Sequence, residues 1–438
     1  MRVTIRLSVI IFLIILYITT ANIIIARTYG NKSFLDSINN KRIEVTGEVI
    51  SFPRIISGSR ISFLLKTKTI QNDYINKKIQ VVIYEDEDKK INFGNFISVS
   101  GTLKSISVSD GRYTPKEIKY QLKDYCIGNY SFAGRGSFWR MCVQKTRQGI
   151  INKFMKTHRV LPARFLSAIL LGEKNLLKKE EVNALRNSGM SHILAVSGLH
   201  VGILMGAILL LFGFRKNRIS CSVIIIACWL YVFISGFSPS CVRAAVMLNF
   251  ALLAFIFDRE YNALYSLICA ACMMLIFKPI LIYSVGFQFS FIATFGIIYY
   301  FPIISGYLNF LPGFIRKSLA VTLGAQIALF PLIILYFHEL PILSFINNMI
   351  LVPFVGIMLI VGIASIIISF VSISIAVLIA ELNTLMVKIF LSGAFLSSSI
   401  SWWSIEIENI SIAVIIIYYL CFLALPFISF PGFQAKEH

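Results

Sequence analysis

Apolar stretches of bilayer-spanning length recur through the second half of this chain, at roughly 192–214, 219–236, 240–257, 262–277, 281–301, 318–337, 354–371, 374–396 and 410–428. A soluble core does not accommodate so many such segments, so they commit the chain to lipid. Composition agrees, with 57% hydrophobic and 14% charged residues and a mean hydropathy of +0.78. One more apolar run, Leu7 to Ile25, follows Arg2 and Arg6. It is too long for the core of a secretory signal and reads as an uncleaved transmembrane helix over residues 1–26, its basic start held inside. The fold class expected is a polytopic α-helical membrane protein with about ten transmembrane helices. Pro341 to Pro353, PILSFINNMILVP, is apolar but too short to cross, and reads as a re-entrant segment before the next span.

Between the first helix and the others lies a polar region, residues 27–159, which the inward-held amino terminus places outside the membrane. Its β-branched or alternating runs RIEVTGEVISF, SRISFLLKTKTI, KIQVVIYE and NFISVSGTLKSISV are bounded by Gly, Asn, Asp and Ser. Strands so many and so short predict a small extracytoplasmic all-β domain, an OB-like barrel, followed by a connector. The chain carries a net charge of +20, and residues 28–159 hold 23 basic against 11 acidic side chains, a balance of +12. Loops this long do not follow the positive-inside rule, so this charge is free to meet anionic partners, nucleic acid or lipid headgroups. Basic residues beside Phe52, Phe63, Tyr74, Tyr84 and Phe96 match the charge-and-stacking mode by which OB-folds hold single strands.

The basic connectors Arg215-Lys216-Asn217-Arg218 and Arg316-Lys317 fall on the inner side if the amino terminus is inside. Residues 160–430 then form the polytopic domain and 431–438 a cytoplasmic tail, with both termini inside. Of the eight cysteines, six sit in or beside apolar stretches as packing residues, including the Cys269-x-x-Cys272 pair. Cys126 and Cys142 lie together in the polar region, where an oxidising exterior would permit a disulfide.

The stretches FLSAILLGEKNLL, NSGMSHILAVSGLHVGIL, SGFSPSCVRAAVM, KPILIYSVGFQFSFIATFGI, GAQIALFPLI and INNMILVPF, in that order, resemble the ComEC family of competence proteins. The most specific phrase is SH-x-LA-x-SG-x-H, from Ser191 to His200. The resemblance implies a channel of the bacterial cytoplasmic membrane that passes single-stranded DNA inward during natural transformation. It implies partners as well: a separate DNA receptor, a nuclease and a cytoplasmic DNA motor. Many family members carry a metallo-β-lactamase domain. Here the five histidines, His158, His192, His200, His338 and His438, form no H-x-H-x-D-H, so the expectation is no intrinsic nuclease, no catalytic residue, no metal and no cofactor.

Taken as one helix from His192, the family phrase places Gly198, Gly202 and Gly206 on a stripe for close helix packing, with His192, Ser197 and His200 on a polar arc facing away from it. Ionisable residues inside a membrane helix face protein or water and mark a pathway. The competing reading is that Ser197 and His200 only bond each other. Arg243 follows a Ser-Pro helix start by about one turn, beside the positive end of its helix, where a phosphate is favoured. Gln288, Gln326, Asn347 and Asn348 are neutral amides at membrane depth, able to bond a passing strand and release it, or to join helices. Two other functions remain open: a transporter of a small anion or polar lipid, and an intramembrane serine hydrolase built on Ser197. The latter wants a base from another element.

Overall fold

The computed structural model describes residues 38–429 apart from 58, 72, 76, 87–89, 106–119, 128–129, 135–136, 212–216, 342–343, 400–403 and 408–410. The first transmembrane helix expected over 1–26 and the tail at 431–438 lie outside the described residues. The chain divides into two compact units, one up to Ile150 and one from Ile151 onward, with Cys272–Ser284 grouped with the first.

The first unit is a barrel. Alternation drives it: along β1 (Arg42–Val49) every second side chain is buried, and along β3 (Arg60–Ile70) Ile61, Phe63, Leu65 and Thr67 turn inward. β1 pairs with β3, β3 with β5 (Lys78–Tyr84), and β5 runs parallel to β7 (Tyr120–Ile127); β7 pairs with β6 (Phe96–Ser105), which returns to β1. Five strands thus close into a ring with a single parallel junction, an OB-like barrel. Short strands β2 (Arg54–Ser57) and β4 (Asp73–Tyr74) extend β3, and β8 (Tyr130–Gly134) extends β6.

One end of the barrel is closed by the start of α1 (Phe138–Thr157), a stretch whose sequence reads only as a connector. Glu48 at the end of β1 pairs with Arg140 at 2.7 Å and accepts the Ser137 N–H at 3.0 Å. Arg147 stacks 3.7 Å from the Phe52 ring centroid, and Phe52 packs on Phe93 at 4.6 Å. Phe63 is core, and Lys68 lies over Phe96. Of the aromatics expected to stack bases, Tyr74, 81% exposed, stands furthest out, and Phe132 on β8 is a second exposed ring. The expected Cys126–Cys142 disulfide is not formed: Cys142, on α1, is a free thiol, and the Cys126 side chain lies outside the described residues.

The second unit is helical. After α2 (Val160–Leu171), which is nearly all buried and stops at Gly172 in the left-handed region at φ +73°, comes α3 (Lys179–Asn187). Among the described residues, nine helices then fall on the nine predicted apolar stretches: α4 (Gly198–Leu211), α5 (Arg218–Ile234), α6 (Pro239–Ile256), α7 (Ala263–Phe277), α8 (Val285–Tyr307), α9 (Gly313–Phe337), α10 (Ser344–Ile368), α11 (Ile373–Ser398) and α12 (Ile412–Ser429). Five of them, α6, α8, α9, α10 and α11, are long and apolar enough to cross a membrane. Their outward faces carry side chains such as Leu378, 74% exposed, and Leu396, 69% exposed, which suit lipid rather than water. This is a helical membrane protein.

Two expectations are corrected. Pro341 to Pro353 is no re-entrant half-helix: from Ser344 it is the first part of α10, which continues through Pro353 to Ile368. An internal proline is tolerated in an apolar helix when neighbours satisfy the backbone it disrupts. The close glycine contact also lies elsewhere. A Cβ on Gly202 or Gly206 would meet nothing within 4 Å, so those glycines pack no helix among the described residues, whereas a Cβ on Gly296 of α8 would overlap the Gly324 carbonyl and Ala328 Cβ of α9.

Candidate functional site

His192 does not share a helix with His200. Ser188 caps α3, Gly189 takes a positive φ of 76°, and a short 3-10 turn, Ser191–Leu194, follows. Ala195 to Ser197 run extended before α4 begins at Gly198. The stretch from Ser188 to Gly198 is therefore a strap over the helical unit. Met190, Ile193, Leu194 and Val196 are buried pins, while His192 and Ala195 are exposed between them.

Side chains from two other helices fix the strap. At its start, Asn347 of α10 donates Nδ2 to the Ser188 carbonyl at 2.9 Å and accepts Ser397 Oγ of α11 at 2.8 Å. Near its end, Ser238 donates Oγ to the Val196 carbonyl at 3.0 Å. The same Oγ accepts the Cys241 N–H at 3.3 Å, so it also caps α6, whose first residue is Pro239. Gly172 leaves room behind the strap: a Cβ there would lie 3.2 Å from Val196 Cγ2.

Where strap becomes helix, Ser197 is the N-cap of α4 and His200 its third residue. His200 Nδ1 accepts the Ser197 backbone N–H at 3.2 Å and lies 3.0 Å from Ser197 Oγ. This is the reach-back half of a capping box, with histidine in the place glutamate usually takes. Because Nδ1 accepts from the backbone, a neutral imidazole carries its proton on Nε2, a donor. That Nε2 is buried with no partner among the described residues, on a side chain only 2% exposed. Among the described residues no carboxylate bonds His200, the orienting contact a hydrolase dyad uses.

Gly198 faces α6. A Cβ there would sit 3.1 Å from Arg243 Nη2 and 3.3 Å from Ala244 Cβ, so the glycine makes room for the guanidinium. Arg243 Nε is buried without a hydrogen-bond partner among the described residues. The amino-terminal ends of α4 and α6, each with partial positive charge, thus converge on an arginine with spare hydrogen-bonding capacity. Chemically, such a place suits an anion.

The structure accordingly brings together Ser197, Gly198, His200 and Arg243, with His192 on the adjoining strap. Asn347 of α10 is spent on tying the strap down, a bond with no signal in sequence. Gln288 accepts the Tyr336 hydroxyl at 2.6 Å, joining α8 to α9, and Gln326 is half-buried on α9. Ser238, a serine directly before a proline at a helix start, caps α6 as the sequence leads one to expect, and its second bond, to the strap, is what the sequence reading missed. Among the described residues no three His, Cys, Asp or Glu side chains are grouped to hold a metal.

The competence protein family model matches residues 169–430, from α2 through α12, and so includes the strap and both converging helix ends. Curated relatives include ComE operon protein 3 of Bacillus subtilis (strain 168), 25% identical over 68% of this chain and 39% of the relative. An uncharacterized protein of Aquifex aeolicus (strain VF5) is 29% identical over 56% of this chain and 58% of its own, and the uncharacterized protein YcaI of Escherichia coli (strain K12) 26% identical over 42% and 26%. The chain thus spans between about a quarter and three-fifths of the length of these relatives. No solved structure matches it. With its family model covering more than half of the sequence, this chain belongs to the ComEC-type competence protein family.

Proposed function

We propose that this chain is a channel through which single-stranded DNA crosses the bacterial cytoplasmic membrane during natural transformation. About ten helices span the membrane, both termini are inside, and the OB-like barrel stands outside to receive the strand. The observation that carries the reading is the convergence of two helix amino termini on Arg243, beside the one glycine that leaves the guanidinium room. Phosphates of a moving strand need contacts that hold briefly and release. Donors without a fixed acceptor, Arg243 Nε and His200 Nε2, meet that need. The chain itself performs no chemistry and needs no cofactor. A separate receptor delivers the DNA, another polypeptide degrades the second strand, and a cytoplasmic motor draws the first.

Uptake by Arg243 variants tests this. Arg243→Ala reduces entry of labelled DNA about tenfold, the loss of one charge-assisted contact; Arg243→Lys recovers part of it, and Arg243→Glu falls below alanine. If alanine and glutamate both support normal uptake at normal abundance, Arg243 is no part of the path. Dependence on a small anion or polar lipid, with DNA entry unaffected by deletion, would replace the channel with a solute transporter.

A further inference from the structure

Pro331 and Pro426 each lie inside an apolar helix, α9 and α12. Lacking an N–H, each deprives the carbonyl four residues earlier of its helical donor. Those carbonyls belong to Ile327 and Phe422. Away from water a carbonyl without a donor is costly, so a neighbouring helix has to supply one. In both cases a tyrosine does so. Tyr418 of α12 donates its hydroxyl to the Ile327 carbonyl at 2.7 Å, and Tyr300 of α8 donates to the Phe422 carbonyl at 2.6 Å. The two bonds run in a chain: α8 serves the break in α12, and α12 serves the break in α9.

The fit answers two needs at once. A buried tyrosine requires an acceptor for its hydroxyl, and in a helical membrane core nearly every carbonyl is already taken. The proline-freed carbonyls are open acceptors, unlike the Ala328 carbonyl that Tyr419 reaches at 3.1 Å, where Leu332 keeps its N–H. Tyr300 is 7% exposed and packs its ring 4.6 Å from that of Phe422, so it can reach no water without leaving the cluster. Tyr418 stacks on Phe330 at 5.8 Å with only 20° between the rings.

We propose that Tyr300 and Tyr418 form a latch at two proline hinges: their hydroxyls hold α12 docked on α8 and α9, and their release frees α12 to move about those hinges. The latch is independent of what the chain transports.

A double-substitution cycle in the detergent-purified full chain tests it. Tyr418→Phe should lower the apparent Tm by about 2–4 °C and speed amide exchange in α9 and α12. In a Pro331→Ala background, where the new N–H satisfies Ile327, the same substitution should have little effect. An equal loss in both backgrounds would show that the hydroxyl does not serve the freed carbonyl. Tyr300→Phe with and without Pro426→Ala gives a second, independent cycle if either alanine variant folds poorly. Spin labels on exposed positions of α9 and α12 should report a broader distance distribution in the Tyr300→Phe/Tyr418→Phe double variant. An unchanged distribution and unchanged exchange would overturn the latch.

Discussion

Ser197 and His200 fix the start of α4 with one pair of side chains. Their mutual bonds close the amino terminus of α4, and that same geometry leaves His200 with a spare donor. The capping role predicts that Ser197→Ala and His200→Ala each destabilise the purified protein by about 1 kcal/mol, whereas His200→Gln, a standard partner in a capping box, stays near wild type in thermal melts. Gly198 and Gly202 make a sharper contrast. Gly198→Val must displace Arg243 and should abolish DNA uptake, while Gly202→Ala, with open space around it, should leave uptake intact. His158, between α1 and α2, is 6% exposed and its Nδ1 lies 2.8 Å from Thr157 Oγ1. Burial pushes its pKa down to about 4, against a smaller opposing pull from Glu381. An imidazole harder to protonate folded than unfolded contributes stability that is complete above its ordinary value near 6.5 and lost as pH falls toward 4. Melting temperature should decline over that window, and His158→Gln should flatten the decline.

At the scale of elements, periodicity and length announced the strands and the nine apolar helices, because burial on one face or all round leaves a trace in sequence. What stayed hidden depended on partners. α1 was illegible since Arg140 and Arg147 are basic in sequence yet serve the barrel, one pairing with Glu48 and the other stacking on Phe52. Pro353 looked like a boundary, but α10 runs through it. The glycine stripe was placed on α4 by spacing alone; close approach also needs an opposing helix, which Gly202 and Gly206 lack among the described residues, and the closest backbone approach is the Gly296–Gly324 crossing. Gly296→Leu should therefore abolish folding or insertion, as judged by monodispersity in detergent, while Gly206→Leu should be tolerated. The strap was legible as a motif but not as a shape, because its anchors, Asn347 and Ser238, lie far away in sequence.

The molecule as a whole pairs a basic OB-like domain with an apolar helical domain. The excess of positive charge over residues 28–159 predicts that single strands bind the purified chain with a steep salt dependence, through release of counterions. Affinity unchanged between low and physiological salt would count against an electrostatic contact. An impermeant protease should cut the barrel in intact spheroplasts. Passage of DNA itself is tested most directly by deleting this chain from its host, supplying labelled DNA and measuring the label that reaches a nuclease-protected cytoplasmic pool. The channel account predicts that label still binds at the surface while the protected pool disappears, and that the wild-type chain restores it. A protected pool of normal size in the deletion strain would contradict the account.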